Sequence, residues 1–412
     1  MSRCCLADIS EIITGPFGSQ LHESDYVSVG IPAIMPQNIG NRTLNYEGIA
    51  RITEEDAIRL SRYLVQTNDI VYARRGDVEK HAFITEKDER SICGTGCLRV
   101  RTTASNVYPA FLSHYLNRPE SKRWISQHAV GSNMPNLNTE ILGAVPIELP
   151  TYEVQKAIAN LLTSIDTKVG LNTDVCSELE SMAKTLYDYW FTQFDFPNAE
   201  GKPYRTSGGA MEWNEQLKRE IPKGWIVGNL YRIADYINGL ACQKYRPKDG
   251  EGSLPVIKIT EMHGGITNKT EAVSESIPDK YKIYDGDILF SWSATLEIMY
   301  WFGGAGGLNQ HIFKVVPKEG FPKEYVYQQL SAYIINFVKM AEARKTTMGH
   351  ITTDHLDQSR IAIPPTPVLE RFSEIVRPIH EMIGKYQQQN RELTKLRDWL
   401  LPMLMNGQAV VE

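Results

Sequence analysis

Six short stretches of this chain place amide, hydroxyl, cationic and aromatic side chains side by side. In the first half they are Gln37-Asn38, Arg74-Arg75 and Ser132-Asn133. In the second half they are Lys258-Ile259-Thr260-Glu261, Ser291-Trp292-Ser293 and Arg344-Lys345-Thr346-Thr347. Arginine bonds in two-pronged fashion to guanine, Asn and Gln to adenine, and Lys or Arg to phosphate. These residue types in polar loops therefore suit base edges and a nucleic-acid backbone. For any one of them an ordinary polar loop is the plainer reading, so the weight falls on their pattern along the chain.

Other chemistries lack their residues. The one dense glycine run, Gly303-Gly304-Ala305-Gly306-Gly307, is not followed by Lys-Ser/Thr as a phosphate loop requires, and reads as a turn. Neither G-x-S-x-G nor H-E-x-x-H occurs. Glu120–Lys122 and Glu200–Lys202 have a nuclease-like spacing, but no acidic partner on an upstream strand. Ile363-Pro364-Pro365-Thr366 lacks the Asn or Asp that opens an amino-methylation motif. Cys93 and Cys97 have no second Cys or His pair at ligand spacing. We therefore expect no catalytic residue and no metal site.

The totals fit a binding protein. Of 412 residues, 42% are hydrophobic and 23% charged, with a net charge of −5. That balance does not announce a nucleic-acid binder, so a basic face must be local. No run of about 18 apolar residues spans a membrane. No basic-then-apolar segment opens the chain, and six cysteines suit a reducing compartment, so we expect a cytoplasmic protein.

Something must hold the loops, and the clearest candidate is a heptad seam. Ile158, Leu161, Ile165, Lys168, Asn172, Val175, Leu179, Met182, Leu186 and Tyr189 recur at steps of three and four. Phe372, Ile375, Ile379, Met382, Tyr386, Gln389, Leu393, Leu396, Leu400 and Met403 repeat them at a constant offset of 214. We expect the two helices to pair antiparallel, their polar middle positions (Lys168, Asn172; Tyr386, Gln389) fixing register.

The seam is part of a larger repeat. Ile9–Gly15 is echoed by Ile233–Gly239, and Ile31-Pro32-Ala33-Ile34 by Leu254-Pro255-Val256-Ile257. Asn68–Tyr72 is echoed by Gly286–Phe290, and Ile147–Pro150 by Ile361–Pro364. Tyr108 to His128 has helical spacing. We expect an α+β chain with two similar strand-rich domains and a pair of long helices. Our boundaries are 1–150, a helix 151–194, a linker 195–225, a second domain 226–364, a helix 365–405 and a tail 406–412.

In Trp190-Phe191-Thr192-Gln193-Phe194-Asp195-Phe196-Pro197, Gly201-Lys202-Pro203-Tyr204, Ser207-Gly208-Gly209 and Ile221-Pro222-Lys223-Gly224-Trp225, the chain resembles the specificity subunits of type I restriction–modification enzymes. The strand–proline exits at Leu149-Pro150 and Ile363-Pro364 match as well, and the resemblance covers essentially the full chain. It implies a non-catalytic subunit in a prokaryotic cytoplasm. Each domain would recognise one half of a split target on double-stranded DNA. The helices would act as a spacer and dock two methyltransferase subunits, with restriction (translocase and nuclease) subunits joining through the complex. S-adenosylmethionine, ATP and magnesium would lie on those partners, and none in this chain. Members often carry a segment ending in Trp before the first domain. Here the chain starts almost directly at Leu6, so the tail Asn406 to Glu412 is a candidate to complete that edge. The alternative is a self-contained DNA-modifying or cleaving enzyme with an unrecognised site.

Overall fold

The computed structural model describes residues 2–131, 135–267, 269–293, 296–343 and 353–411. The chain divides into two units: Met1–Thr167 with Leu393–Glu412, and Lys168–Glu392. Strands and helices are mixed in each, as the α+β expectation requires.

In the first unit, Ile70-Val71-Tyr72-Ala73 is apolar throughout and buried throughout, as suits a central strand. It lies third in an antiparallel sheet ordered Ser10–Thr14, Cys97–Thr102, Ile70–Ala73, His81–Phe83. A second sheet runs Tyr26–Val27, Ala50–Ile52, Ile31–Ile34, Ile92–Cys93, its last pair parallel. Ser2–Cys5 pairs antiparallel with Pro146–Leu149. The Tyr108–His128 stretch is two helices, Pro109–Leu116 and Pro119–His128. Pro119 forces the break, because Arg118 before it is driven to an extended conformation.

The second unit repeats this order. Its main sheet runs Ala234–Asn238, Ile312–Pro317, Ile288–Ser291, Glu297–Tyr300. The other runs Ala272–Ser274, Ser253–Ile257, Gly306–Leu308, Lys282–Ile283, again with one parallel pair. Ile226–Gly228 pairs with Ile361–Ile363 as Ser2–Cys5 does with Pro146–Leu149. No proline interrupts Lys323–Ala343, so one helix stands where the first unit has two. The 195–225 stretch is built into this unit: Met211–Asn214 pairs with Arg219–Pro222, and Phe194, Phe196 and Trp225 are buried in its core.

Two long helices, Tyr152–Tyr187 and Thr366–Met405, follow the strand–proline exits. Within each unit their segments run antiparallel. In the first, Ile158, Ala159 and Leu162 share a core with Leu401, Leu404 and Met405. Ala409 and Val411, in the tail, pack against the same core. In the second, Asn172 Nδ2 donates to Gln389 Oε1 (2.7 Å) and Asn390 Oδ1 (2.8 Å). The Cys176 thiol reaches the Ile383 carbonyl at 3.8 Å, and the Tyr187 and Phe372 rings meet edge-on.

The observed seam corrects the expected one at alternate positions. Ile158, Ile165 and Phe372 are buried, and Leu179, Ile379 and Leu393 half-buried. The positions between them fall one residue later: Leu162, Cys176, Ala183, Val376, Ile383 and Leu404 are buried, and Leu401 is buried beside Leu400. Leu161, Leu186 and Leu400 flank the seam half-buried, whereas Met182 (54% exposed), Ile375 (43%) and Leu396 (44%) face outward. The cause is local: Leu161-Leu162, Ile375-Val376 and Leu400-Leu401 offer two apolar neighbours, and steps of 3-4 and 4-3 fit the heptad equally. The offset of 214 survives the correction, since Leu162 and Val376 obey it too.

Candidate nucleic-acid interface

In the first unit five chain segments meet at one end of the main sheet. Gly15 N–H donates to the Cys97 carbonyl (2.9 Å), Arg74 N–H to Gly96 (2.7 Å), Gly94 N–H to Ile34 (3.0 Å) and Leu137 N–H to Arg74 (2.8 Å). Arg75 bridges Asn136. Glycine is needed where these backbones touch: a Cβ on Gly15 would stand 2.2 Å from the Gly94 oxygen.

Gln37 and Arg75 are exposed at these turns, and Arg74 is half-buried. Arg74 Nε and Asn136 Oδ1 are buried without a hydrogen-bond partner among the described residues. Buried polar atoms of this kind are rare in folded proteins and mark places where a ligand or water completes the pairing. Asn38 has a different task. Its side chain accepts from Met35 N–H (3.0 Å) and donates to the Asn45 carbonyl (3.1 Å), closing its own turn. Ser132 and Asn133 lie outside the described residues.

The second unit builds the same cluster with other side chains. Gly239 N–H donates to the Ile312 carbonyl (3.1 Å) and Asn309 N–H to Ile257 (3.1 Å). A Cβ on Gly239 would meet the Asn309 oxygen at 2.1 Å, repeating the close approach at Gly15. Trp292, which follows its strand as Arg74 follows the other, donates Nε1–H to Asn238 Oδ1 at 3.2 Å. Its ring lies 5.7 Å from His311 and 5.9 Å from Phe313. Ser293 is buried, with its carbonyl accepting from the Ser291 hydroxyl.

Thr260 is exposed as Gln37 is, and Glu261 behaves as Asn38 does. Its carboxylate accepts from Lys258 N–H at the start of the helix Ile259–Gly264, in the same third position as Asn38 in the turn Pro36–Asn38. Lys258 Nζ pairs with Glu271 at 2.6 Å and holds that carboxyl below its ordinary range. Arg344, Lys345, Thr346 and Thr347 lie outside the described residues.

The structure adds residues that the sequence reading passed over. Phe17 stands 58% exposed on the Gly15–Leu21 loop, whose turn is closed by Gln20 N–H on the Phe17 carbonyl (2.8 Å). An aromatic between Gly15-Pro16 and Gly18-Ser19 was the available signal. Asn136 in the first cluster, and Gln310 and His311 in the second, carry no sequence signature. Cation, amide, hydroxyl and aromatic groups on glycine-supported turns can bond base edges, hold phosphates and stack on bases. Among the described residues no group of three or more His, Cys, Asp or Glu is placed to hold a metal ion, and no helix is long and apolar enough to cross a membrane.

Comparison with known proteins supplies the family. The domain described as "Type I restriction modification DNA specificity domain" matches residues 3–181 and again 222–395. The type I restriction enzyme MjaIX specificity subunit of Methanocaldococcus jannaschii is 24% identical over 425 residues, covering 99% of this chain and 93% of that one. The HindI specificity subunit of Haemophilus influenzae is 22% identical over 400 residues, covering 84% and 87%. The fold is similar to the crystal structure of a type I restriction–modification S subunit from M. genitalium, with a TM-score of 0.55 at 15% identity and 98% and 95% coverage. With the specificity domain matched twice, once over each repeat, the chain belongs to the specificity subunits of type I restriction–modification systems and carries two target-recognition domains.

Proposed function

We propose that each loop cluster reads one half of a two-part DNA target, and that the chain does no chemistry of its own. One observation carries this reading: the same turns recur in both units, supported by the same glycine contacts, but with different side chains at their tips. Gln37, Arg74, Arg75 and Gly96 answer to Thr260, Trp292, Ser293 and His311, and the exposed Phe17 to Ala241. A repeated frame with unlike tips suits two unlike half-sites.

The partners dock on the helices. An apolar outer stripe remains beside the seam: Met182, Ile375 and Met382 in the second unit, Leu396 and Trp399 in the first. Leu396 and Trp399 stand one turn apart, an apolar pair suited to a docking face, and two methyltransferase subunits are the occupants this family calls for. S-adenosylmethionine, ATP and magnesium are held by the methyltransferase and restriction subunits.

The test is methyl transfer and DNA binding by the chain alone and with its methyltransferase partner. The chain alone is expected to transfer no methyl group. The assembled complex is expected to bind its target with an affinity that falls linearly in log–log terms as salt rises. Methylation or cleavage by the purified chain would instead establish an enzyme.

A further inference from the structure

The first unit contains a buried ionic node that the repeated fold does not require. Arg42 lies at φ +63° on the loop between Asn38 and Asn45. Left-handed backbone at a non-glycine residue persists only where the surroundings over-determine it. Here Arg42 N–H donates to the His81 carbonyl (2.7 Å), and the Arg42 carbonyl accepts from Phe83 N–H (3.3 Å). The side chain, 8% exposed, turns inward. Its Nε donates to Ser113 Oγ at 2.9 Å, and its Nη1 pairs with Asp166 on the first long helix. Asp166 also accepts from Arg397 Nη1 on the second long helix at 3.1 Å. Burial pushes the Arg42 guanidinium down to about 10, against the pull of Asp166, so it stays charged at neutral pH.

One arginine thus ties both helices to a loop whose base is the recognition turn. The link is short. Asn45 N–H donates to the Asn38 carbonyl (2.8 Å), Asn38 Nδ2 returns to the Asn45 carbonyl, and Gln37 is the next residue. A buried ion pair is a weak stabiliser, and where one persists it is a candidate to fix one arrangement over others. The second unit builds the same repeat without it. At the 214 offset, His380 stands for Asp166 and Ala183 for Arg397.

We propose that Arg42 is a positioning residue: through Asp166 and Arg397 it lets the helix pair set the orientation of the Gln37 turn, and so the base preference of the first domain. The inference rests on the DNA-reading function above. The test uses the assembled methyltransferase complex and measures binding to the full target and to single-base variants of each half, over a range of salt. Arg42→Lys keeps the charge but loses the fork that spans Ser113 and Asp166.

The expected result is a loss of about tenfold in discrimination at the half read by the first domain, a size usual for coupling between sites. Discrimination at the other half and the salt slope should be unchanged. Unaltered discrimination at both halves, or an equal fall at both, overturns the proposal. If Arg42→Lys does not fold, Arg42→Met with Asp166→Leu removes the pair without stranding either charge, since Arg397 keeps its Asp398 partner. That double variant is expected to show the same one-sided loss, and full discrimination in it overturns the proposal. A wild-type complex that does not discriminate at all would refute DNA reading itself, a distinct result.

Discussion

Where strands meet helices, the two units solve the same packing problem with different chemistry. In the first, Ile158 packs with Leu401, Leu404 and Met405, and the polar gap beside them is closed by Arg42, Asp166 and Arg397. In the second, Phe372 replaces Ile158 at the 214 offset, and Tyr187, Trp190 and Phe191 replace Leu401, Leu404 and Met405. The Phe372 ring lies 4.8 Å from Phe191 and 5.5 Å from Trp190. There the buried Glu324 accepts from the Ser373 hydroxyl at 2.6 Å and pairs with Arg377 at 3.7 Å, in place of two arginines sharing one aspartate. Tyr300 stacks on Tyr327 at 4.4 Å, and with His380, Glu180 and Glu297 they line a cavity of about 130 Å³. The register of the repeat is thus independent of what fills it: spacing sets the backbone, and each joint is packed locally.

The largest effect should come from the aromatic joint. Phe372→Ala removes a fully buried ring and is expected to cost about 3–5 kcal/mol, toward the upper end because rings on several sides lose a neighbour. Ile158→Ala, its counterpart, removes less volume and should cost less, toward the lower end of about 2–5 kcal/mol. Urea unfolding followed by tryptophan fluorescence measures both, since Trp190 and Trp225 share the Phe372 cluster and Trp124 packs against that of Ile158. An equal or larger loss at Ile158 would break the comparison.

A smaller effect should come from acid. Burial holds His81 and His114 in the first unit well below the ordinary imidazole range, and pushes His380 in the second down to about 4. For all three the unfolded chain binds the proton more readily, so stability is full above about pH 6.5 and falls as pH drops below it. For His380 the loss accrues between about 6.5 and 4 and reaches about 2 kcal/mol by pH 5. Two of these three histidines lie in the first unit, so the loss they cause between pH 7 and 5 should be larger there. Hydrogen exchange across that range resolves the units, and a larger loss in the second would reverse the assignment.

The sequence made the repeat legible because apolar spacing and the strand–proline exits survive the exchange of individual side chains. It did not make the choice of seam residue legible. Leu161-Leu162 and Ile375-Val376 are equally apolar, and only packing against the opposite helix selects the second of each pair. Nor did it separate Gln37 from Asn38, or Thr260 from Glu261. All four are polar and adjacent, and the outcome depends on which one stands third in its turn, where a side-chain oxygen can accept from the backbone. The Arg42 node joins residues 42, 166 and 397, and no local pattern announces a contact across that separation.

The central claim is that two clusters read two half-sites. Mapping methylated positions in the genome of cells carrying the complex tests it most directly, first with this chain and then with residues 1–150 replaced by the first domain of another member. The expected target has two short parts separated by unread base pairs, with only one part altered by the exchange. An unsplit target, or a change in both parts, would contradict it.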